Sequence, residues 1–287
     1  MIISASRRTD IPAFYFDWFF NRLREGYVIT RNPMNPKQVK RIDLSADSVD
    51  GIVFWTKNAA PMLAHLQDVA EYPYYVQFTI TAYGPEIEPG LPDKGKHIIP
   101  TFQRLSEAIG ARRVIWRYDP IFIGENYPVD AHNERFFAIA NILKGYTETC
   151  VLSFLDMYGS IQKKAAKHGI RTCSEREMHS IAKTFAEIAG SAGIRLQTCA
   201  EAIDLDAYGI THGQCVDAIL FEEMTGKKCN AKKDKNQRPA CGCAESVDIG
   251  AYNTCANGCV YCYANHASAL VAKNRARFDA ARECLIE

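Results

Sequence analysis

At 287 residues the chain is long for an ordinary domain and normal for one α/β barrel. Its 47% hydrophobic and 23% charged residues are those of a globular chain with a large core, which excludes a disordered or fibrous protein. Lys and Arg (34) nearly cancel Asp and Glu (33), so at net charge +1 no global field draws the chain to nucleic acid or to a membrane surface. No apolar run reaches the ~18 residues of a membrane span, and no signal-peptide pattern opens the chain, so the expected compartment is the cytoplasm and the eleven cysteines are expected to be reduced.

The apolar run 1–6 reads as a buried strand. A polar turn, Ser6-Arg7-Arg8-Thr9-Asp10, leads to Pro12, suited to the first turn of a helix capped by Thr9 or Asp10. Phe16, Phe19, Phe20 and Leu23 then recur at helical spacing until Gly26, and 27–30 is a short strand before the proline-broken loop RNPMNP. The same grammar repeats. Strand 51–55 precedes a helix from Pro61 with Leu63, Leu66 and Val69 inward; strand 74–81 precedes a Pro/Gly loop and helix 98–109. Strand 113–118 ends in Asp119-Pro120 before helix 130–143, and strand 150–155 ends at Asp156. Ser174 and Glu177 form a capping box ahead of a helix with Met178, Ile181, Ala182, Phe185 and Ile188 inward. Strand 194–198, strand 247–252 and helix 264–283, the last with Ala267, Leu270, Val271, Phe278 and Ala281 on one side, complete the pattern.

Alternating strands and helices predict a parallel sheet. Seven or eight such units predict a TIM-like (β/α) barrel, complete or partial, with an open doubly wound sheet as the alternative. No G-x-G-x-x-G follows a strand, which weakens a dinucleotide-binding reading. The expectation is one barrel domain over 1–287, with 199–243 a cysteine-bearing loop region and 247–284 a strand–loop–helix unit.

That unit carries Cys255, Cys259 and Cys262 in a C-x3-C-x2-C run, with Gly258 permitting a sharp turn and Tyr261 placing a ring beside the third cysteine. Fe–S clusters are held by Cys thiolates, usually four; three leave one iron of a cube open to a small molecule. A structural zinc site, with paired C-x2-4-C or Cys/His sets, fits the triplet less well. The octapeptide resembles the signature of the radical S-adenosylmethionine (SAM) superfamily. The resemblance implies a [4Fe–4S] cluster that binds SAM, cleaves it reductively to a 5′-deoxyadenosyl radical and abstracts hydrogen from a substrate, with a reductant such as ferredoxin or flavodoxin. The superfamily motif normally follows the first barrel strand. Here it stands near the C-terminus, so the resemblance implies a circularly permuted barrel in which strand 247–252 neighbours the N-terminal strand.

Barrel active sites lie at the C-terminal ends of the strands. Ser4, Ser6, Arg7, Arg8, Thr9, Asp10, Thr56, Lys57, Gln77, Thr79, Thr81, Arg117, Asp119, Ser153, Asp156, Gln197, Glu201 and Asn253 are therefore expected to face one cavity. The superfamily's Gly-Gly-Glu segment for the SAM amino group is absent, and Ser6–Asp10 stands in its place. The expected cofactor set is Arg7, Thr9, Asp10, Arg117 and Asp119. Asp10 or Thr9 would take the amino group, and Arg7 or Arg117 would pair with the carboxylate, since arginine suits two-point recognition. The structural alternative pairs Arg117 with Asp119 or Asp156 as a brace of the barrel.

Cys199, Cys215, Cys241 and Cys243 sit at strand ends and loops and could hold a second, fully ligated Fe–S cluster, a zinc ion, or nothing if they are ordinary buried thiols. Cys229 is a spare candidate, whereas Cys150, Cys173 and Cys284 read as ordinary. The basic stretch 227–238 reads as a solvated loop, a lid, or a handle for a phosphate-bearing substrate. SRRTDIPAFY, IVFWTKN, RYDP and CGCxESVDIGAYNTCxxGCVYCYAN together resemble, end to end, the uncharacterised family called domain of unknown function 1848. The CxxxCxYCYA form is also similar, locally, to spore photoproduct lyase, although neutral net charge argues against a dedicated DNA-binding enzyme. The reading is a radical SAM enzyme on an unknown substrate, with Tyr118, Tyr158, Tyr252 or a cysteine as candidate radical partner. The alternatives are a zinc-containing barrel hydrolase or isomerase, and a non-enzymatic Fe–S sensor or electron carrier.

Overall fold

The computed structural model describes residues 1–286. Strand β1 (Ile2–Ala5) feeds a short helix α1 (Ile11–Phe14), capped by the Asp10 carboxylate, and then α2 (Phe16–Glu25). Tyr15 breaks the expected single helix in two, its hydroxyl donating to the Thr254 carbonyl at 2.6 Å. The expected loop RNPMNP is instead the tip of an antiparallel hairpin, β2 (Tyr27–Asn32) and β3 (Asn35–Asp43). Then follow β4 (Gly51–Thr56), a one-turn helix α3 (Ala60–Leu63), β5 (Tyr74–Thr79), α4 (Ile99–Ile109), β6 (Val114–Ile121), α5 (Val129–Leu143) and β7 (Thr149–Phe154). The remaining elements are α6 (Gln162–Lys167), α7 (Glu175–Ala192), β8 (Arg195–Thr198), β9 (Thr211–His212), α8 (Ala218–Thr225), β10 (Ser246–Asp248) and α9 (Ser268–Ala276). The capping box of α7 forms as expected between Ser174 and Glu177. The final strand and helix are shorter than expected, and α9 buries none of its residues, so its apolar positions do not form a core face.

Eight strands form one parallel sheet in the order β10-β1-β4-β5-β6-β7-β8-β9. The order runs with the sequence from β1 to β9, and β10 returns to the free side of β1. Two halves diverging from a switch point, the mark of a doubly wound sheet, are not seen. The hydrogen-bonded sheet has two ends, β9 and β10, and among the described residues no ladder joins them. Among the described residues a single backbone bond spans the seam, Ala244 N–H to Val216 C=O at 2.9 Å.

Because side chains alternate along a strand, the sheet has two distinct faces. Ile3, Ile52, Phe54, Val76, Phe78, Trp116 and Leu152 meet the long helices in the main core, where α2 contributes Phe16 and Phe19, α4 Phe102 and Leu105, α5 Phe136 and α7 Phe185. The opposite face gathers Ile2, Val53, Tyr75, Ile115 and Val151 around Leu220 and Phe221 of α8. Gly51 is required there: a Cβ would lie 2.1 Å from the Phe221 ring. The 199–243 region is thus more than a loop, because its helix α8 covers the second face of the sheet. Toward the C-terminal strand ends that face turns polar, with Ser4, Gln77 and Arg117 buried along it, and the candidate site begins. Among the described residues no helix is long and apolar enough to cross a membrane.

Candidate functional site

Beyond the strand ends lies a cavity of about 810 Å³ whose lining includes Cys255, Cys259 and Cys262 on one wall and Cys199, Cys215, Cys241 and Cys243 on another. Ser6, Arg7, Arg8, Thr9, Asp10, Thr56, Lys57, Thr79, Arg117, Asp119, Ser153 and Asp156 line it as expected. Ser4, Gln77, Thr81, Gln197, Glu201 and Asn253 do not. Ser4 accepts from the Trp55 indole at 3.1 Å, Gln77 holds the Cys215 carbonyl at 3.0 Å, and Glu201 accepts from Phe154 N–H at 2.9 Å.

The loop that carries Cys255, Cys259 and Cys262 is tied down along its length. Asn253, with φ +58, adopts the left-handed conformation that asparagine tolerates. It staples the loop base, donating from N–H to the Ala264 carbonyl at 2.9 Å and accepting from His266 N–H at 2.6 Å. Gly258 takes φ +65 at the expected sharp turn. Asn265 Nδ2 donates to the Cys255 carbonyl at 2.7 Å, and Val260 N–H to the Ile87 carbonyl at 2.9 Å. Gly90 cradles the loop so closely that a Cβ would meet the Ala256 carbonyl at 2.3 Å.

Asp10 braces this loop. Its carboxylate accepts from Thr56 Oγ1 (2.7 Å), Lys57 N–H (2.8 Å), Ala13 N–H (3.0 Å) and Asn257 Nδ2 (3.1 Å), which fills its lone-pair sites. One side chain therefore joins α1, the end of β4 and the cysteine loop. Thr9 Oγ1 and Asn257 Oδ1 are buried at the cavity without partners, leaving donor and acceptor capacity unused. Burying such atoms costs about 1–3 kcal/mol each, a cost a polar ligand would offset.

Beneath the cysteine loop lies a charged group that sequence reasoning missed. Glu88, 1% exposed, accepts from Lys57 Nζ at 2.8 Å and Thr81 Oγ1 at 2.9 Å, and also from Lys94 Nζ and the Tyr261 hydroxyl. Burial raises its pKa, but the two ammonium groups outweigh burial and bring it down to about 2. Glu88 lies within the Pro/Gly loop after β5, far from any motif, and carried no local signal.

The two arginines face the other wall. Arg117 Nη1 lies 2.8 Å from Cys215 Sγ, and Nη2 pairs with Asp119, so the brace weighed as the structural alternative is formed by Asp119 and not by Asp156. Asp156 pairs with Arg238 of the basic stretch, whose Asp234, Asn236 and Gln237 also line the cavity. Arg7 stacks its guanidinium 5.1 Å above the Trp55 ring, and Arg117 approaches the same ring at 5.2 Å. Arg7 Nη2 is buried without a partner. Cys215 Sγ lies 2.9 Å from Cys199 Sγ. Cys243 is within hydrogen-bonding reach of both Cys215 and Cys241. Cys229 is buried beside α8, outside the cavity lining.

Burial pushes the Cys255 thiol up to about 12 and raises Cys259 and Cys262 as well. Among the described residues no three His, Cys, Asp or Glu side chains surround a common point as ligands of a single ion. The donor set still suits a polynuclear cluster, whose thiolates spread around a cube instead of converging on one atom.

A family model described as a domain of unknown function, DUF1848, matches residues 2–264. The chain belongs to the DUF1848 family. The match spans β1 through the cysteine loop, so sheet, cavity and both cysteine groups lie within the family domain. No curated protein matches this DUF1848 chain.

Proposed function

We propose that this protein is a radical SAM enzyme built on a partial, circularly permuted (β/α) barrel, with Cys255, Cys259 and Cys262 as ligands of a [4Fe–4S] cluster. The observation that carries the reading is that these three thiols line a cavity at the C-terminal mouth of a parallel sheet, on a loop anchored from three sides. Supporting it, β10 lies beside β1, the adjacency that a permuted barrel requires. When bound there, a cluster with SAM on its open iron supplies one-electron cleavage of the sulfonium and a carbon radical that abstracts hydrogen from substrate. Asp10 holds the loop by way of Asn257, and Glu88 holds it by way of Tyr261. Thr9 Oγ1 and Asn257 Oδ1 are the free polar atoms for the SAM amino and hydroxyl groups. Arg7 Nη2 remains for its carboxylate, whereas Arg117 is engaged by Asp119 and Cys215.

The test is anaerobic reconstitution with iron and sulfide, followed by dithionite reduction in the presence of SAM. The expected outcome is 5′-deoxyadenosine release that the triple change of Cys255, Cys259 and Cys262 to Ala abolishes. Release that survives the triple change overturns the proposal, and a cluster whose spectrum ignores SAM makes the protein a sensor or electron carrier.

A further inference from the structure

We propose that Cys199, Cys215, Cys241 and Cys243 hold a second metal centre, an iron–sulfur cluster closed by four protein thiolates. It stands on the cavity wall apart from the Cys255 loop. The four cysteines arrive from separate parts of the chain. Cys199 follows β8, Cys215 follows β9, and Cys241 and Cys243 precede β10. The fold brings them into one row of sulfur contacts, Cys199 to Cys215 at 2.9 Å and then Cys243 and Cys241. The seam between the two ends of the sheet runs through this row. Its backbone bond from Ala244 to Val216 ties together the residues next to Cys243 and Cys215, and Val216 N–H points at Cys243 Sγ at 3.4 Å.

An ordinary core would place apolar side chains here. This one places two guanidinium groups. Arg117, 5% exposed, donates to Cys215 Sγ at 2.8 Å, and the Arg7 guanidinium lies against Cys243. Asp119 pairs with Arg117 at Nη2, while the Nη1 edge is turned to Cys215, where a buried cationic donor favours negative charge. Four adjacent thiolates supply that charge but repel one another unless a cation lies among them, and a thiolate-ligated metal centre meets both requirements. The donor chemistry is soft, all sulfur, which selects iron–sulfur clusters or zinc among the metals. The pair Cys241-Gly242-Cys243 is one residue shorter than the C-x2-4-C unit that grips a tetrahedral zinc, and it lets the two sulfurs serve different irons of a cluster. Four protein ligands leave no open position, so this centre differs in kind from a three-cysteine site.

The experiment uses the full chain with Cys255, Cys259 and Cys262 changed to Ala, reconstituted anaerobically with ferrous iron and sulfide while zinc is also offered. The expected result is about half the iron and sulfide of the wild type, with a reduced EPR signal that does not respond to SAM. Adding C199A, C215A, C241A and C243A removes the remaining iron. A triple variant that takes up zinc without sulfide, or no metal, overturns the proposal. Should the triple variant fail to fold, Mössbauer and EPR spectra of the reduced wild type decide: two populations are expected, one of which ignores SAM, and a single population overturns the second centre. Half-loading of the triple variant together with a wild type indifferent to SAM would leave the second centre standing and remove the radical SAM reading.

Discussion

Glu88→Gln is the substitution whose consequence follows most directly from the geometry. The native carboxylate is 1% exposed and lies against two ammonium groups, Lys57 and Lys94. The amide keeps the shape and two hydrogen bonds but removes the charge that meets both ammonium groups directly. Breaking a buried ion pair by removing one partner costs about 3–5 kcal/mol, because the other charge is left stranded. Titration gives a similar size. The Glu88 pKa falls from 4.5 in the unfolded chain to about 2 in the fold, and at 1.36 kcal/mol per unit that difference is about 3 kcal/mol. Its sign is that of a depressed carboxylate: the contribution is complete above pH 4.5 and fades as pH drops through about 2. Burial already draws Lys94 below its ordinary value, so its ammonium is the one most exposed to the loss of Glu88. Urea denaturation of the apoprotein at neutral pH measures it. The double change Glu88→Gln with Lys94→Met should lose less than the sum of the two singles. A loss under about 0.5 kcal/mol, the range of an ordinary surface substitution, or strict additivity in the cycle, would refute the electrostatic account.

Gly90→Ala should cut iron uptake at the Cys255 loop several-fold with little change in far-UV circular dichroism, since its Cβ would meet the Ala256 carbonyl at 2.3 Å; full loading would contradict that contact. Gly51→Ala forces Phe221 and α8 off the sheet and should cost about 1–3 kcal/mol, the usual range for overpacking, read as a lower urea midpoint. His132 is buried between the Tyr118 hydroxyl and the Phe122 carbonyl, which fixes the proton on Nε2, and burial brings its pKa from 6.5 down to about 4. The unfolded chain therefore takes up a proton that the fold refuses, and stability should fall by about 3 kcal/mol as pH drops from 6.5 to 4. His132→Gln should flatten that slope, as followed by denaturation across the same pH window.

Local pattern carried most of the strand–helix grammar. GIVFW is a continuous apolar run and YYVQFT is apolar up to Gln77, as strands buried on both faces largely are, and Ser174 and Glu177 form their capping box wherever the helix sits. At Tyr15, where the chain departs from its pattern, a distant partner is responsible. Tyr15 splits a helix because its hydroxyl reaches Thr254, and the C-terminal helix stops at Ala276 with no face buried although its apolar residues keep helical spacing. The hairpin across Pro33 and Pro36, and α8 inside 199–243, left no periodic signal long enough to read.

The C-x3-C-x2-C run and the strand-end polar residues were readable because ligand spacing and sheet direction are local properties of a sequence. The division of roles among those residues was decided only in three dimensions. Asp10 became a brace because four donors from three elements converge on it, Arg117 was claimed by Asp119 and Cys215, and Glu88 gained its importance from two lysines and a tyrosine brought from as far away as residue 261. Charge and hydrogen bonding act through space over a few ångströms, so which partner a buried polar group finds is set by the packing of the whole sheet.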